Sequence, residues 1–416
     1  MYSSRSTTAR LTVPTTSTVP TTSTVPKLLA APLAALILTG SAMATVAPPQ
    51  ASHAKPVPVE WQKKKYKVDE LPEELNDAAV TAILGWAQWA GENDYRLALT
   101  DDQRVLVVQH ERRKSKDAFK LIEEAAEIVD ELLPTPERPD EPAKTPRGED
   151  PVPVFGEDGS WTWEWEDDGG PLETDTAVIL QLRSEPAQIA AVEKMTRDFD
   201  YLAEWGETAA LRAGFSLERP LCAAWLESAS GQEEWDPDHE LINRVANLLV
   251  LRRFGQLPFW LQQGTAWHVE WELKETLYCY PYRAEFIYES EHNAWPQLLK
   301  QEFKERKKDP LALAEVAEWR RGSFDRERAR KAFGFARFLA VHHADKYAAI
   351  LEDLRLYRDE HGRFVKEDGS WTRIPGWEVP LEEQDAIFSR HLGEDYLSEV
   401  SEYFAKGKSY RAPRED

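Results

Sequence analysis

The chain has 416 residues, of which 42% are hydrophobic and 16 are Trp, and its formal net charge is −22. This length and apolar content exclude a wholly disordered protein and suffice for more than one packed unit. The excess of acidic side chains disfavours binding to nucleic acid and to anionic membrane surfaces, because both carry negative phosphates.

The first 54 residues are predicted to be a leader and not part of the fold. Residues 28–38 form an apolar run, LLAAPLAALIL, that follows Lys27 and is too short to span a membrane. Ala42-Met43-Ala44 provides a small-x-small cleavage pattern. The favoured interpretation is export, to the medium, the periplasm or the cell envelope, with no membrane span in the mature chain. An uncleaved hydrophobic anchor is the alternative.

Residues 55–133 are predicted to form a small α+β unit. Apolar residues at three- and four-residue spacing indicate a helix over 72–91. Two short apolar segments, Tyr95–Leu99 and Arg104–Gln109, indicate strands joined by a turn. A second amphipathic helix is predicted over about 115–133.

A linker at 134–151 separates this unit from a main domain predicted at 152–410. Repeated Pro residues in the linker prevent regular structure. The hexapeptide EDGSWT occurs at 157–162 and again at 367–372, between strand-like flanks, so two β-hairpins are predicted. One alternative function is an envelope carbohydrate binder that stacks sugars on exposed Trp rings. Its candidate residues are Trp161, Trp163, Trp165 and Trp371.

The main domain is predicted to combine a few buried strands with many helices. Ala177–Leu182 and Leu221–Leu226 are the apolar strands. The predicted helices cover about 186–205, 237–253, 258–275, 326–344, 346–358, 381–390 and 394–404. Cys222 and Cys279 lie in this domain, and the sequence leaves open whether they pair as a disulfide or remain buried thiols.

The first informative motif is HELIN, at 239–243. In a His-Glu-x-x-His helix, two His one turn apart hold a zinc ion, and the Glu is the general base for the metal-bound water. His239 and Glu240 match the first two positions, and Asn243 stands where the second His belongs. Taken alone, acidic residues at the start of a helix are also explained by N-terminal capping.

The second motif is PFWLQQGTA, at 258–266. The two motifs together resemble the gluzincin (peptidase MA-like) zinc metallopeptidases, in which a Pro-x-Trp-Leu-x-Glu-Gly-x-Ala segment supplies the third zinc ligand. Gln263 stands at the position of that Glu. The similarity covers roughly 176–405. It implies an α+β, thermolysin-like metallopeptidase domain, with a small sheet, active-site helices and a mostly helical C-terminal part.

The resemblance implies a degenerate site. His239 matches the first ligand and Glu240 the general base, whereas Asn243 and Gln263 offer neutral amides. Zinc prefers thiolate, imidazole and carboxylate, so two of the three ligand positions are unsuitable for it. Further along the second helix, His268 and Glu270 are predicted to be ordinary helix-face residues and not replacement ligands.

The sequence therefore predicts an exported, non-catalytic gluzincin-like protein, a pseudopeptidase that binds a peptide or protein partner or serves as a scaffold without a cofactor. The alternative in the same family is an active metallopeptidase with an altered metal site, in which zinc is the cofactor and Glu240 is catalytic. The oligomeric state stays open. The proposed ancestry predicts that the side chains of His239, Asn243 and Gln263 converge.

Overall fold

A computed structural model gives the fold of most of the chain that follows the predicted leader. The described residues are 57–110, 115–135, 152–155, 161–164, 175–199, 202–210, 214–226, 236–278, 293–306, 309–319, 325–365, 371–374 and 376–410. The predicted leader, most of the predicted linker and Cys279 lie outside these ranges.

The strands are short and cluster in the N-terminal half. They are β1 (Val59–Trp61), β2 (Lys64–Tyr66), β3 (Tyr95–Leu99), β4 (Val105–His110), β5 (Val152–Phe155), β6 (Trp161–Glu164), β7 (Ala177–Leu182), β8 (Gly214–Leu217), β9 (Cys222–Leu226), β10 (Arg363–Val365) and β11 (Trp371–Arg373).

Helices dominate the C-terminal half. They are α1 (Asp77–Glu92), α2 (Ser115–Leu132), α3 (Glu185–Asp198), α4 (Ala203–Ala209), α5 (Pro237–Phe254), α6 (Phe259–Lys274), α7 (Trp295–Arg306), α8 (Ala314–Ala317), α9 (Arg326–His342), α10 (Ala344–His361), α11 (Leu381–Leu392) and α12 (Tyr396–Lys406).

Seven strands form one mixed sheet in the order β2-β1-β3-β4-β7-β9-β8. The pairs β1–β3, β4–β7 and β7–β9 are parallel, and the remaining pairs are antiparallel. The predicted mixed α+β class is therefore confirmed. β5–β6 and β10–β11 form two separate antiparallel pairs, where the repeated hexapeptide predicted hairpins.

The sheet crosses the boundary that the Pro-rich segment was predicted to mark. β4, from the predicted 55–133 unit, pairs in parallel with β7, from the predicted 152–410 domain, with Val107 opposite Ile179. Residues 53–416 accordingly make one compact unit by their contacts. The physical reason is that β4 would otherwise be a long apolar edge strand with unpaired backbone groups, which proteins avoid.

Side chains of the central strands alternate between two cores, one on each face of the sheet. Val107 and Ile179 pack in the core that includes α2, α5, α6 and the C-terminal helices. Their neighbours Val108 and Leu180 pack in the opposite core, against α1 and α3. Burial on both faces explains why AVILQL is almost continuously apolar.

Several elements differ from their predicted bounds or were not predicted. β1, β2 and β8 were not predicted. The predicted helix at 186–205 is two helices. α3 ends at Asp198, because the next residue, Phe199, has an extended backbone with φ −139° and ψ 93°. Within the described part of the chain, no helix combines the length and apolar character needed to cross a bilayer.

Cys222 lies in β9 as a buried free thiol. Burial raises the pKa of this thiol, because the thiolate would lose its hydration. A protonated, buried thiol is a poor nucleophile, so Cys222 is a packing residue. The other cysteine of the pair that the sequence left open, Cys279, lies outside the described ranges.

Candidate functional site

The two sequence motifs lie on α5 and α6, which are joined by residues 255–258 and pack against each other. Asp236 caps α5 by accepting a hydrogen bond from the backbone N–H of Asp238, and Pro237 occupies the first turn. Gly255, at φ 63°, follows the end of α5 in a conformation that favours glycine. The short connection makes the helices antiparallel, so the start of α5 faces the end of α6.

His239, in the first turn of α5, is buried, and protein groups contact both of its ring nitrogens. Nδ1 lies 2.7 Å from Oε1 of Glu270, and Nε2 lies 3.3 Å from Oγ1 of Thr276. The ring of Tyr278 packs against the imidazole, with 4.5 Å between ring centroids. The side chain is therefore held in place from the C-terminal end of α6.

Glu270, near the end of α6, is fully buried. Its Oε1 accepts from the backbone N–H of Tyr278 at 2.6 Å, and its Oε2 accepts from Nδ2 of Asn243 at 3.1 Å. Both oxygens of Glu270 thus have hydrogen-bond partners, and Nδ1 of His239 lies within hydrogen-bond distance of Oε1. The expectation that Glu270 is an ordinary helix-face residue is therefore wrong: the antiparallel packing aims it at α5.

Glu240 is buried and pairs with Arg244, one turn further along α5. The distance from Nε of Arg244 to Oε2 of Glu240 is 3.2 Å, and both side chains are at most 5% exposed. Nη1 of Arg244 also lies 3.4 Å from Oγ of Ser216 in β8. A guanidinium thus neutralises the carboxylate that the motif assigns to general-base chemistry.

The remaining motif residues belong to a buried group of amide side chains between α5 and α6. Nδ2 of Asn247 donates to Oδ1 of Asn243 at 2.9 Å and to its backbone oxygen at 3.1 Å. Oδ1 of Asn247 accepts from Nε2 of Gln262 at 3.2 Å and from Nε2 of Gln263 at 3.3 Å. We call Asn243, Asn247, Gln262 and Gln263 the amide cluster.

The residues at the three predicted ligand positions are connected through intermediates. Asn243 and His239 both bond Glu270, and Gln263 reaches Asn243 through Asn247. Asn247 lies one helical turn after Asn243, so the i,i+4 spacing could have predicted that the two side chains are neighbours. Glu270 and Thr276 carried no local signal, because their roles depend on how α6 packs.

The donor set does not fit a zinc ion. His239 and Glu270 are the good zinc ligands here, and they bond each other, while Asn243 and Gln263 contribute amides. Across the described ranges, no group of three or more His, Cys, Asp and Glu side chains is placed to hold a metal. We derive no chemical step through a metal at this site.

Other candidate residues lie away from this site. His268 is buried on α6, 3.8 Å from Glu272. Burial and, to a lesser extent, the charge of Arg337 lower the pKa of His268 to about 3, so its imidazole is neutral.

A cavity of about 530 Å³, lined by acidic residues of α2 such as Glu123 and Glu127, shares no residue with the site. The four candidate Trp residues for carbohydrate stacking have side chains outside the described set.

No family model matches the chain, and no curated protein matches it significantly.

Proposed function

We propose that this chain is an exported gluzincin-like protein without zinc peptidase activity, in which the former metal site has become part of a buried hydrogen-bonded core. The observation that carries the proposal is Glu270, whose carboxylate binds both His239 and Asn243 where α5 and α6 meet. On this proposal the domain acts as a binding module for a peptide or protein, or as a scaffold, with a thermolysin-like arrangement of sheet and helices.

Ligand chemistry supports the loss of zinc. The loss of a single outer hydrogen-bond partner of a metal ligand costs about 10–100-fold in affinity. Replacing two direct ligands by neutral amides costs at least as much again, because each amide removes either an imidazole or a negative charge. Asn243 and Gln263 are also engaged in hydrogen bonds within the amide cluster.

The position of the general base supports the loss of catalysis. A general base must lie within hydrogen-bond reach of the water that it deprotonates. Glu240 is instead paired with Arg244 and is 4% exposed. The ion pair with Arg244 therefore engages the carboxylate that would have to act as the base.

The test is metal analysis of the purified mature chain after incubation with zinc, combined with hydrolysis assays on a broad peptide library. The proposal expects less than stoichiometric zinc and no hydrolysis that a chelator abolishes. His239→Ala is the matched variant, since it removes the remaining ligand of the motif. Stoichiometric zinc that disappears in His239→Ala would refute the proposal.

A second candidate is an active metallohydrolase with a rearranged site. It is favoured by the contact of His239 with Glu270, which brings one imidazole and one carboxylate together on facing helices. It expects chelator-sensitive peptide hydrolysis that is lost in both Glu240→Gln and Glu270→Gln. The absence of such hydrolysis in the wild-type chain across the peptide library would eliminate this candidate.

A further inference from the structure

The hydrogen bonds of the amide cluster have a fixed direction, which starts at Glu270. Nδ2 of Asn243 donates to Oε2 of Glu270 at 3.1 Å, so Oδ1 of Asn243 is directed away from Glu270. Oδ1 of Asn243 is therefore an acceptor for Asn247, and the nitrogen of Asn247 must face it. The assignment of oxygen and nitrogen in each amide follows from its neighbour.

The same logic continues to α6. With its nitrogen committed to Asn243, Asn247 presents Oδ1 to α6. Gln262 and Gln263 must then direct their nitrogens at this oxygen, as their contacts of 3.2 and 3.3 Å require. Turning either Gln amide over would place two carbonyl oxygens against each other. The chain of donors thus ends with Oε1 of Gln262 and Oε1 of Gln263.

These two terminal oxygens are buried and accept no hydrogen bond from the part of the chain that the structure describes. Gln262 is 1% exposed and Gln263 is 4% exposed, so bulk water does not reach them. Buried polar groups in proteins are almost always paired, and an unpaired one carries a full desolvation penalty. Two unpaired acceptors at the end of one series of hydrogen bonds therefore call for a donor that the described residues do not supply.

We propose that the amide cluster binds at least one internal water molecule, which donates to Oε1 of Gln262 and Oε1 of Gln263. A water has two hydrogens to donate, and buried waters typically make about three hydrogen bonds to polar groups that the protein leaves unsatisfied. The ligand site lies at the position that the sequence motif assigns to the third zinc ligand. It follows from the hydrogen bonds alone and does not depend on the proposed ancestry.

The surroundings favour water over a cation. Hard cations such as Ca²⁺ take six or more oxygen ligands. In the described part of this cluster two oxygens remain to be satisfied, which is fewer than such a cation requires.

The proposal is tested by counting long-lived internal waters with oxygen-17 magnetic relaxation dispersion on the folded chain. The wild type is compared with the double variant Gln262→Met/Gln263→Met, which keeps side-chain length and removes both terminal oxygens. The matched control is Gln384→Met, because Gln384 is a buried glutamine whose oxygen accepts from Nε1 of Trp260 and whose nitrogen donates to the backbone of Val379.

We expect the double variant to lose at least one long-lived water relative to the wild type, and the control to lose none. Equal dispersion amplitudes for wild type and double variant would overturn the proposal. So would a signal that changes when sodium and potassium are replaced by choline, since that identifies a cation. If the double variant does not fold, a high-resolution crystal structure of the wild type decides: an ordered water within hydrogen-bond distance of both oxygens supports the proposal, and its absence overturns it.

Discussion

Oε1 of Glu270 lies 2.7 Å from Nδ1 of His239, although the two residues are 31 positions apart and on different helices. In metal sites, a ligating His commonly donates its other ring nitrogen to a carboxylate, which fixes the orientation of the ring. Glu270 makes this contact in the absence of a suitable ligand set. The pair therefore gives the buried imidazole of His239 a hydrogen-bond partner on the facing helix.

Glu270 is predicted to be the most costly residue of the site to remove. Glu270→Ala leaves His239, the amide of Asn243 and the N–H of Tyr278 without their buried acceptor. We expect a loss of about 3–5 kcal/mol in the free energy of unfolding, the range for breaking a buried charged network. Urea denaturation measures it. Glu272→Ala, on the more exposed side of α6, is the control and is expected to cost about 1 kcal/mol or less. Equal effects would contradict the assigned role of Glu270.

Restoring the two missing ligands tests the proposed ancestry. Asn243→His/Gln263→Glu recreates the His-Glu-x-x-His motif and its distant carboxylate, and we expect zinc affinity to rise by at least about 100-fold over wild type. Isothermal titration calorimetry measures the change. The matched control is Asn247→His/Gln262→Glu, which places the same residue types at adjacent positions of the amide cluster and is expected to bind zinc no better than wild type. Similar affinities for the two double variants would argue against an inherited site.

Local signals in the sequence predicted the elements that carry the site. Asp236 and Pro237 mark the start of α5, because capping chemistry depends on neighbouring residues. The apolar runs in the sequence predicted β3 and β7 with the same bounds as in the structure. Mixed α+β architecture followed from these patterns.

Contacts between distant segments were not predictable in the same way. β2 was not predicted, because Lys64 and Lys65 make the segment polar. The strand lies at the edge of the sheet, where lysines are common. The pairing of β4 with β7 spans a long Pro-rich segment that suggested a boundary. The role of Glu270 depends on the antiparallel packing of α5 and α6. The helical periodicity of α6 alone does not predict that Glu270 contacts His239 and Asn243.

Gly264 in the second motif is predicted to be required for the packing of α6 on α9. A Cβ at this position would lie 2.5 Å from the backbone oxygen of Ala332, so the two helices would have to move apart. We expect Gly264→Ala to destabilise by about 1–3 kcal/mol despite the better helix propensity of Ala. The matched control is Gly85→Ala in α1, where a Cβ meets no atom within 4 Å. That control should stabilise by up to about 1 kcal/mol. Thermal unfolding would disprove the packing argument if both substitutions stabilised the protein.

Glu315, in α8, is predicted to give the stability of the protein a specific acid dependence. Burial alone would raise its pKa, but hydrogen bonds from Arg306 at 2.7 and 2.8 Å, from the N–H of Ala312 and from Lys331 lower it to about 2. The carboxylate therefore stabilises the fold above the unfolded-state pKa, near 4.3. This contribution is lost as the pH falls from there towards about 2. Glu315→Gln should reduce the free energy of unfolding by about 1 kcal/mol at pH 7, since the group is partly exposed. The difference from wild type should shrink at each step from pH 5 to pH 3 in urea titrations. A difference that stays constant over that interval would show that Glu315 acts through packing and not through its charge.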